Sequence, residues 1–228
     1  MNRMIDALVP MKGHSERVKN KNIRDFAGKP LFYYVINALL SSEYISRIII
    51  DTDSEQIKET VNFFFTDERI CLLDRPEELC GDFAPFFDLL EYDMGHSESE
   101  LFLQTHATNP LLSETTISGA CSLFIENRDK YDSLFTVNEL HTRLYNDRGK
   151  AMNHDPDYLI RTQDLPPVYE ENSNLYLFSR ESFQKRHNRI GETPYLYVTP
   201  PLESVDIDTE EEFLLAEAIY KNRIKEKK

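Results

Sequence analysis

Near the carboxyl end of the chain, Asp206 and Asp208 alternate with apolar Val205 and Ile207. In an extended segment that alternation sends both carboxylates to the same side. Two such oxygens at a strand end, facing a triphosphate, suit magnesium, which takes a few carboxylates together with phosphate and water. The run continues Thr209-Glu210-Glu211, so the acids equally fit a helix N-terminus, where negative charge complements the dipole. The opposite charge is gathered near the amino end. Pro10-Met11-Lys12-Gly13-His14-Ser15-Glu16-Arg17 leads through Lys19, Lys21 and Asn22 to Arg24 and places five cations in one stretch. A loop after a strand, rich in Lys and backbone N–H groups, is suited to a polyphosphate. It is not a Walker loop, because the spaced glycines and the Gly-Lys-Ser/Thr ending are missing, and there is no G-x-G-x-x-G fingerprint. By composition alone it also reads as a solvated basic loop.

The elements that must position these groups belong to a chain of 228 residues, long enough for one substantial α/β domain. A hydrophobic content of 40% with 29% charged residues is that of a soluble globular protein. Forty acidic residues against 26 basic give a net charge of -14, which argues against nucleic acid as a partner. No apolar run approaches the ~20 residues needed to span a bilayer, so no membrane partner is expected. The start, Met1-Asn2-Arg3-Met4-Ile5-Asp6, has no h-region, so no signal peptide is expected. Cys71, Cys80 and Cys121, an odd number without metal-like spacing, point to reduced thiols and a cytoplasmic setting.

An apolar run at Ala7-Leu8-Val9 forms the first strand. A helix is expected from Pro30, a good first helical residue, with Leu31, Tyr34, Val35, Ala38 and Leu39 as its core stripe. Strands follow at 45–50, 70–73 and 101–105, and helices through about Phe64, from Phe83, and at about 114–127. Thr52 with Glu55 fits a capping box. Strand and helix alternate up to Ser133–Val137, which predicts parallel, right-handed crossovers in an open sheet. Residues 139–172 break that rhythm, with Asp147-Arg148-Gly149-Lys150 as a hairpin turn. A polar segment of this length inside a compact domain is usually functional or intermolecular. A strand at 195–198 and a final helix through Tyr220 close the chain.

Five ordered motifs in this frame resemble the acylneuraminate cytidylyltransferases, which activate 3-deoxy-2-keto sugar acids with CTP. The loop from Pro10 to Asn22 and the following Gly28-Lys29-Pro30-Leu31 are similar to the family's opening signature, with Lys12 where the family has its phosphate-binding Arg and Glu16 where it usually has a Lys. Arg75-Pro76-Glu77-Glu78-Leu79 resembles R-P-x-x-L, and Thr108-Asn109-Pro110-Leu111 resembles part of L-Q-P-T-S-P-L-R. Gln163-Asp164-Leu165-Pro166-Pro167-Val168-Tyr169 and Glu171-Asn172 match Q-D-L-P-P-V-Y and E-N. Ser204-Val205-Asp206-Ile207-Asp208-Thr209-Glu210-Glu211 matches S-I-D-I-D-T-E-E.

The resemblance implies a Rossmann-like three-layer nucleotide-diphospho-sugar transferase fold of the α/β class, mostly parallel with helices on both faces, and a dimerisation arm at about 139–172. It implies transfer of CMP from CTP to the anomeric hydroxyl of a sialic-acid-like 2-keto-3-deoxy sugar acid, with release of pyrophosphate, in a homodimer. Lys12, Lys21 and Asp208 would be catalytic, and Asp206 and Asp208 would hold Mg2+. Pro10, Met11, Lys12, Gly13, Asn22, Arg75 and Gly81 would bind the nucleotide, although Arg75 also reads as a loop Arg paired with Glu77 or Glu78. His106 falls at the family's sugar-contacting Gln in an ungapped match, whereas a two-residue insertion would put Gln104 there. Arg143, Arg161, Gln163 and Asn172 complete the implied acceptor contacts, with Arg161 one place before the family's Arg. Leu112 stands where the family has an Arg, so the acceptor pocket departs from the pattern. Other readings keep CTP but change the acceptor, or keep nucleotide binding without catalysis.

Overall fold

The computed structural model describes residues 5–81 and 83–226. The residues over which no h-region is found (1–4) and Asp82 of the Gly81 loop lie outside them. A seven-stranded sheet forms the middle layer. Its strands are β1 (Ile5–Leu8), β4 (Ile45–Thr52), β5 (Ile70–Asp74), β6 (Leu101–Thr105), β7 (Ser133–Leu140), β8 (Val168–Ser179) and β9 (Pro194–Val198), in the order β5-β4-β1-β6-β8-β7-β9. Strand β8 is antiparallel to both β6 and β7, and the other pairings are parallel. The expected α/β class and mostly parallel sheet are therefore present. A two-stranded hairpin, β2 (Asp25–Phe26) and β3 (Lys29–Pro30), lies between β1 and the first helix.

The central strands are apolar because both faces are covered. Helices α1 (Phe32–Ser41), α2 (Glu55–Phe64) and α4 (Glu114–Glu126) close a core on one face, where Val35, Ile57 and Ile117 meet Ile48, Ile50 and Leu103. Helices α3 (Phe86–Gly95) and α5 (Arg180–Arg186) cover the other face, with Leu90, Met94 and Phe183 against Leu8, Ile49 and Phe102. The last helix, α6 (Glu210–Glu226), packs Phe213 and Ala216 on Val18, Phe26, Leu31 and Ile207. It thereby ties the end of the chain to the first loop. No helix among the described residues is long and apolar enough to cross a membrane.

Three expected helix starts move. Pro30 lies in β3, and α1 begins at Phe32, while the helix expected from Phe83 begins at Phe86 after Pro85. Thr52 ends β4, so the cap of α2 passes to Ser54, whose hydroxyl accepts from Ile57 N at 3.4 Å. The segment at 139–172 is partly sheet: β7 runs to Leu140 and β8 begins at Val168, pairing Leu140 with Val168. Between them, Tyr145 bridges Ala151 around the expected turn. Ser173, at φ 56°, and a register shift between Phe135 and Val137 divide β8 into a part that pairs with both β6 and β7 and a part that extends beyond β6 with β7 alone.

Candidate active site

The chain leaves β1 alongside β4. Met11 N donates to Asp51 O at 2.9 Å, continuing the parallel pairing past the strand end. Alternation then buries the Met11 side chain in the core and turns Lys12 into the cleft beyond the strand ends. Gly13 is held by a hydrogen bond from its N–H to Asp53 Oδ1 at 2.6 Å, and a Cβ there would lie 2.6 Å from Ser54 Cβ. Close approach to the β4–α2 loop is what requires glycine. Asn22 Nδ2 donates to Lys12 O at 2.9 Å and folds the far end of the loop back on its start.

Opposite this loop, residues 204–208 link the chain to α6 and do not form a strand. The carboxylates nonetheless share a side. Ile207 N donates to Thr108 O at 3.1 Å and the Ile207 side chain is fully buried beside Phe213, while Asp206 and Asp208 line the cleft. The helix-terminus reading of the run also holds: α6 begins at Glu210 with Glu210, Glu211 and Glu212 in its first turn, and Glu212 Oε2 accepts from both Asp208 N and Thr209 N at 2.8 Å. Asp208 Oδ1 meets Arg17 Nη2 at 3.0 Å and Lys21 Nζ at 3.2 Å, and Lys21 also donates to Ile207 O at 2.6 Å. Burial pushes the Asp206 carboxyl above the usual carboxylate range and the Asp208 charge adds to this, against hydrogen bonding from Thr108 and attraction to Lys21. Its Oδ1 is buried and has no hydrogen-bond partner among the described residues.

The cleft between these two walls has a volume of about 440 Å³ and is closed by Phe86 and Leu89 of α3 and by His106, Thr108 and Ser173. It brings together Pro10, Lys12, Lys21, Asn22, Arg75, His106, Asp206 and Asp208 of the sequence candidates. Arg75 is there with a partner that neither sequence alternative named. Its Nε donates to Asp51 Oδ2 at 2.6 Å, with the two side chains 1% and 0% exposed. Asp93 of α3 lies beside Asp51, and burial followed by the Asp51 charge pushes its carboxyl up to about 9. One guanidinium thus serves two buried acids, one of which keeps its proton.

Other candidates lie elsewhere. Gly81, at φ 89°, lies outside the cleft lining. Gln104 is fully buried behind the wall, accepting from Arg189 Nη1 at 2.5 Å. Asn172 faces inward, its amide donating to Asn138 Oδ1 and Thr199 Oγ1 at 3.0 and 2.7 Å, so it joins β8 to its neighbours. Arg143 donates to Ile160 O at 2.6 Å in a second cavity, Arg161 pairs with Asp164 at 2.7 Å, and Gln163 is exposed in a short turn. Two contributors were missed. Ser173 owes its place to a left-handed backbone that Ser does not announce. Arg189 sits in a polar stretch with no periodicity to mark it.

Comparison with known proteins bears on this arrangement. A family profile described as cytidylyltransferase matches residues 7–228. The N-acylneuraminate cytidylyltransferase of Escherichia coli is 27% identical over 100% of this chain and 54% of its own length. The pseudaminic acid cytidylyltransferase of Campylobacter jejuni is 26% identical over 94% of this chain and 95% of its own. The chain spans about half the length of the first curated relatives it matches, at 54% and 51%. Among solved structures, a CMP:2-keto-3-deoxy-manno-octonic acid synthetase complexed with CTP superposes with a TM-score of 0.69 at 13% identity, covering 96% of this chain and 99% of that one. The fold is thus shared with that synthetase, and by the match over residues 7–228 the chain belongs to the cytidylyltransferase family.

Proposed function

We propose that the chain transfers CMP from CTP to the anomeric hydroxyl of a 2-keto-3-deoxy sugar acid of the sialic-acid kind and releases pyrophosphate. The observation that carries this reading is that Asp206 and Asp208 line one cleft together with Lys12, Lys21 and Arg17. The relatives named for N-acylneuraminate and pseudaminic acid, and the fold shared with a CTP-bound synthetase, support the choice of nucleotide and acceptor class.

In the proposed reaction the hydroxyl oxygen attacks the α-phosphorus, the bond to the bridging β-phosphate oxygen breaks, and the hydroxyl proton is lost. Lys12 neutralises charge on the phosphates as pyrophosphate leaves, with Lys21 as second cation and Arg17 beside it. Magnesium fits the two acids in that Asp206 offers a buried oxygen with no hydrogen-bond partner among the described residues. The ion would then complete its shell with phosphate and water, as magnesium does. Held by Asp206 and Asp208, it would supply positive charge at the α-phosphate and lower the pKa of the attacking hydroxyl. In this reading the segment at 139–172, which exposes Met152, Tyr158 and Leu159, is the arm of a homodimer, and Arg143 and Arg161 act on a partner's acceptor site. Dependence on CTP goes with a cytoplasmic setting.

The test is pyrophosphate release from each of the four nucleoside triphosphates with magnesium, across a panel of 2-keto-3-deoxy acids that includes sialic, pseudaminic and manno-octonic members. Release with CTP and one acid is expected. Silence across the panel from folded protein that still binds CTP would refute transfer to this class of acceptor.

A further inference from the structure

At the α3 end of the cleft, four groups from four parts of the chain form a column. Arg189 lies over the Tyr176 ring at 3.4 Å and beside the Phe86 ring at 5.1 Å, and His106 stacks on the other side of Phe86 with ring centroids 6.1 Å apart. Gln104 connects the two ends. Arg189 Nη1 donates to Gln104 Oε1 at 2.5 Å, and Gln104 Nε2 lies 3.0 Å from Thr105 O and 3.3 Å from His106 Nε2.

The direction of every proton in this chain of contacts is determined. A guanidinium only donates, so the Gln104 atom facing Arg189 is the oxygen, and the amide cannot be flipped. The amide nitrogen therefore faces Thr105 O and His106 Nε2, and it has no lone pair to offer. His106 Nε2 must accept, which leaves the ring proton of a neutral imidazole on Nδ1. Among the described residues Nδ1 has no hydrogen-bond partner, and His106 lines the cleft. Burial first, then the charges of Arg189 and Lys21, hold the His106 ring well below its usual value, at about 4, with Asp208 opposing.

We propose that Arg189, acting through Gln104, holds His106 as a neutral Nδ1–H donor at the acceptor end of the cleft, where it reads an oxygen of the sugar acid. This rests on the transfer reading above for its ligand, but not for its geometry. Gln104 and His106 are then not rivals for one position. His106 is the contact, and Gln104 and Arg189 are its positioning residues. Arg189 touches no ligand here, and the cation it supplies acts by denying Gln104 the other orientation.

The experiment is nitrogen NMR of the full chain labelled at histidine nitrogens, with the His106 signals assigned by their loss in His106→Asn. The expected spectrum is the neutral Nδ1–H form, unchanged from pH 6 to 8. In Gln104→Glu the carboxylate still accepts from Arg189 but offers a lone pair to Nε2, so the proton should move to Nε2 or both nitrogens should become protonated. With the acid chosen by the pyrophosphate assay, Gln104→Glu and Arg189→Met should raise the acceptor KM about tenfold, the loss of roughly one hydrogen bond, with kcat and the KM for CTP within about threefold. An Nε2–H signature in the unaltered chain, or titration of the ring between pH 6 and 8, would overturn the proposal. So would an unchanged acceptor KM in both variants. The first readout needs neither substitution nor substrate, so it decides the relay even where a variant fails to fold, whereas silence in the pyrophosphate assay counts against the transfer reading alone.

Discussion

Asp93→Asn should make the protein more stable than the unaltered chain, by a margin that is already present at pH 6 and grows towards pH 8. Asp51 and Asp93 are both fully buried and share the single guanidinium of Arg75. Burial, followed by the Asp51 charge, raises the Asp93 carboxyl from its ordinary value to about 9, while Arg75 pulls the other way. Between pH 6 and 8 an unfolded chain has this group ionised and the folded chain has it protonated, so unfolding releases one proton. Stability must then fall as pH rises, by about 1.4 kcal/mol per unit, or about 3 kcal/mol over the two units. The fall begins above the unfolded carboxylate's value and ends once pH passes the folded one near 9. An Asn at this position keeps a donor toward Asp51 and has no proton to lose, which removes that slope. Urea melts of both chains at pH 6, 7 and 8 measure it as a difference, so groups common to both cancel. A gap between the two chains that stays constant to within about 0.5 kcal/mol across the range would refute the buried shared proton.

Lys12→Ala should lower turnover in pyrophosphate release about 10²–10³-fold with the fold intact, comparable to removing one preorganised donor, and a loss below about tenfold would deny Lys12 that role. Asp206→Asn should raise the magnesium concentration for half-maximal release by at least about tenfold, because it replaces the oxygen that has no hydrogen-bond partner among the described residues, and titration of the ion against rate checks this. Gly13→Ala should destabilise the chain by about 1–3 kcal/mol in a urea melt, since the added Cβ would come within 2.6 Å of Ser54 Cβ.

The layers of the fold were readable because burial on both faces leaves a plain mark: Ile48-Ile49-Ile50 and Leu101-Phe102-Leu103 are fully or nearly fully buried, as their composition implies. Local caps were read less well, because Thr52, Asp53 and Ser54 are all capping types in a row and only the strand's true end selects Ser54. The two acids were legible for a reason that survives a wrong secondary-structure assignment. Residues 204–208 are not a strand, yet burial of Ile207 still sends Asp206 and Asp208 to the cleft. What could not be read was anything depending on distant pairs. Asp51 and Arg75 are 24 residues apart and Arg189 and Gln104 are 85 apart, so no spacing rule connects them. Asn172 shows the converse error, since a motif match says nothing of whether an amide is already saturated by Asn138 and Thr199.

The same pairings rank the cations of the cleft. In a chain of net charge -14, three positive groups around the proposed phosphate site, Arg17, Lys21 and Arg75, are held by acids, and a phosphate would have to take them from those partners. Arg17 meets Asp208 with its side chain 64% exposed, an exchange worth about 0–1 kcal/mol in solvent. Arg75 is locked to Asp51 at 1% exposure, and removing it would strand a buried charge at a cost of about 3–5 kcal/mol. Lys21 lies between these limits, tied to a carbonyl and to Asp208 on a mostly covered side chain. Of these three, Arg17 is the cation that could swing to an incoming triphosphate at least cost, and Asp208, released from it, would gain an oxygen to offer a metal. Arg75 shapes the wall and holds its position, so the arginine suggested by the motif and the arginine able to move are different residues.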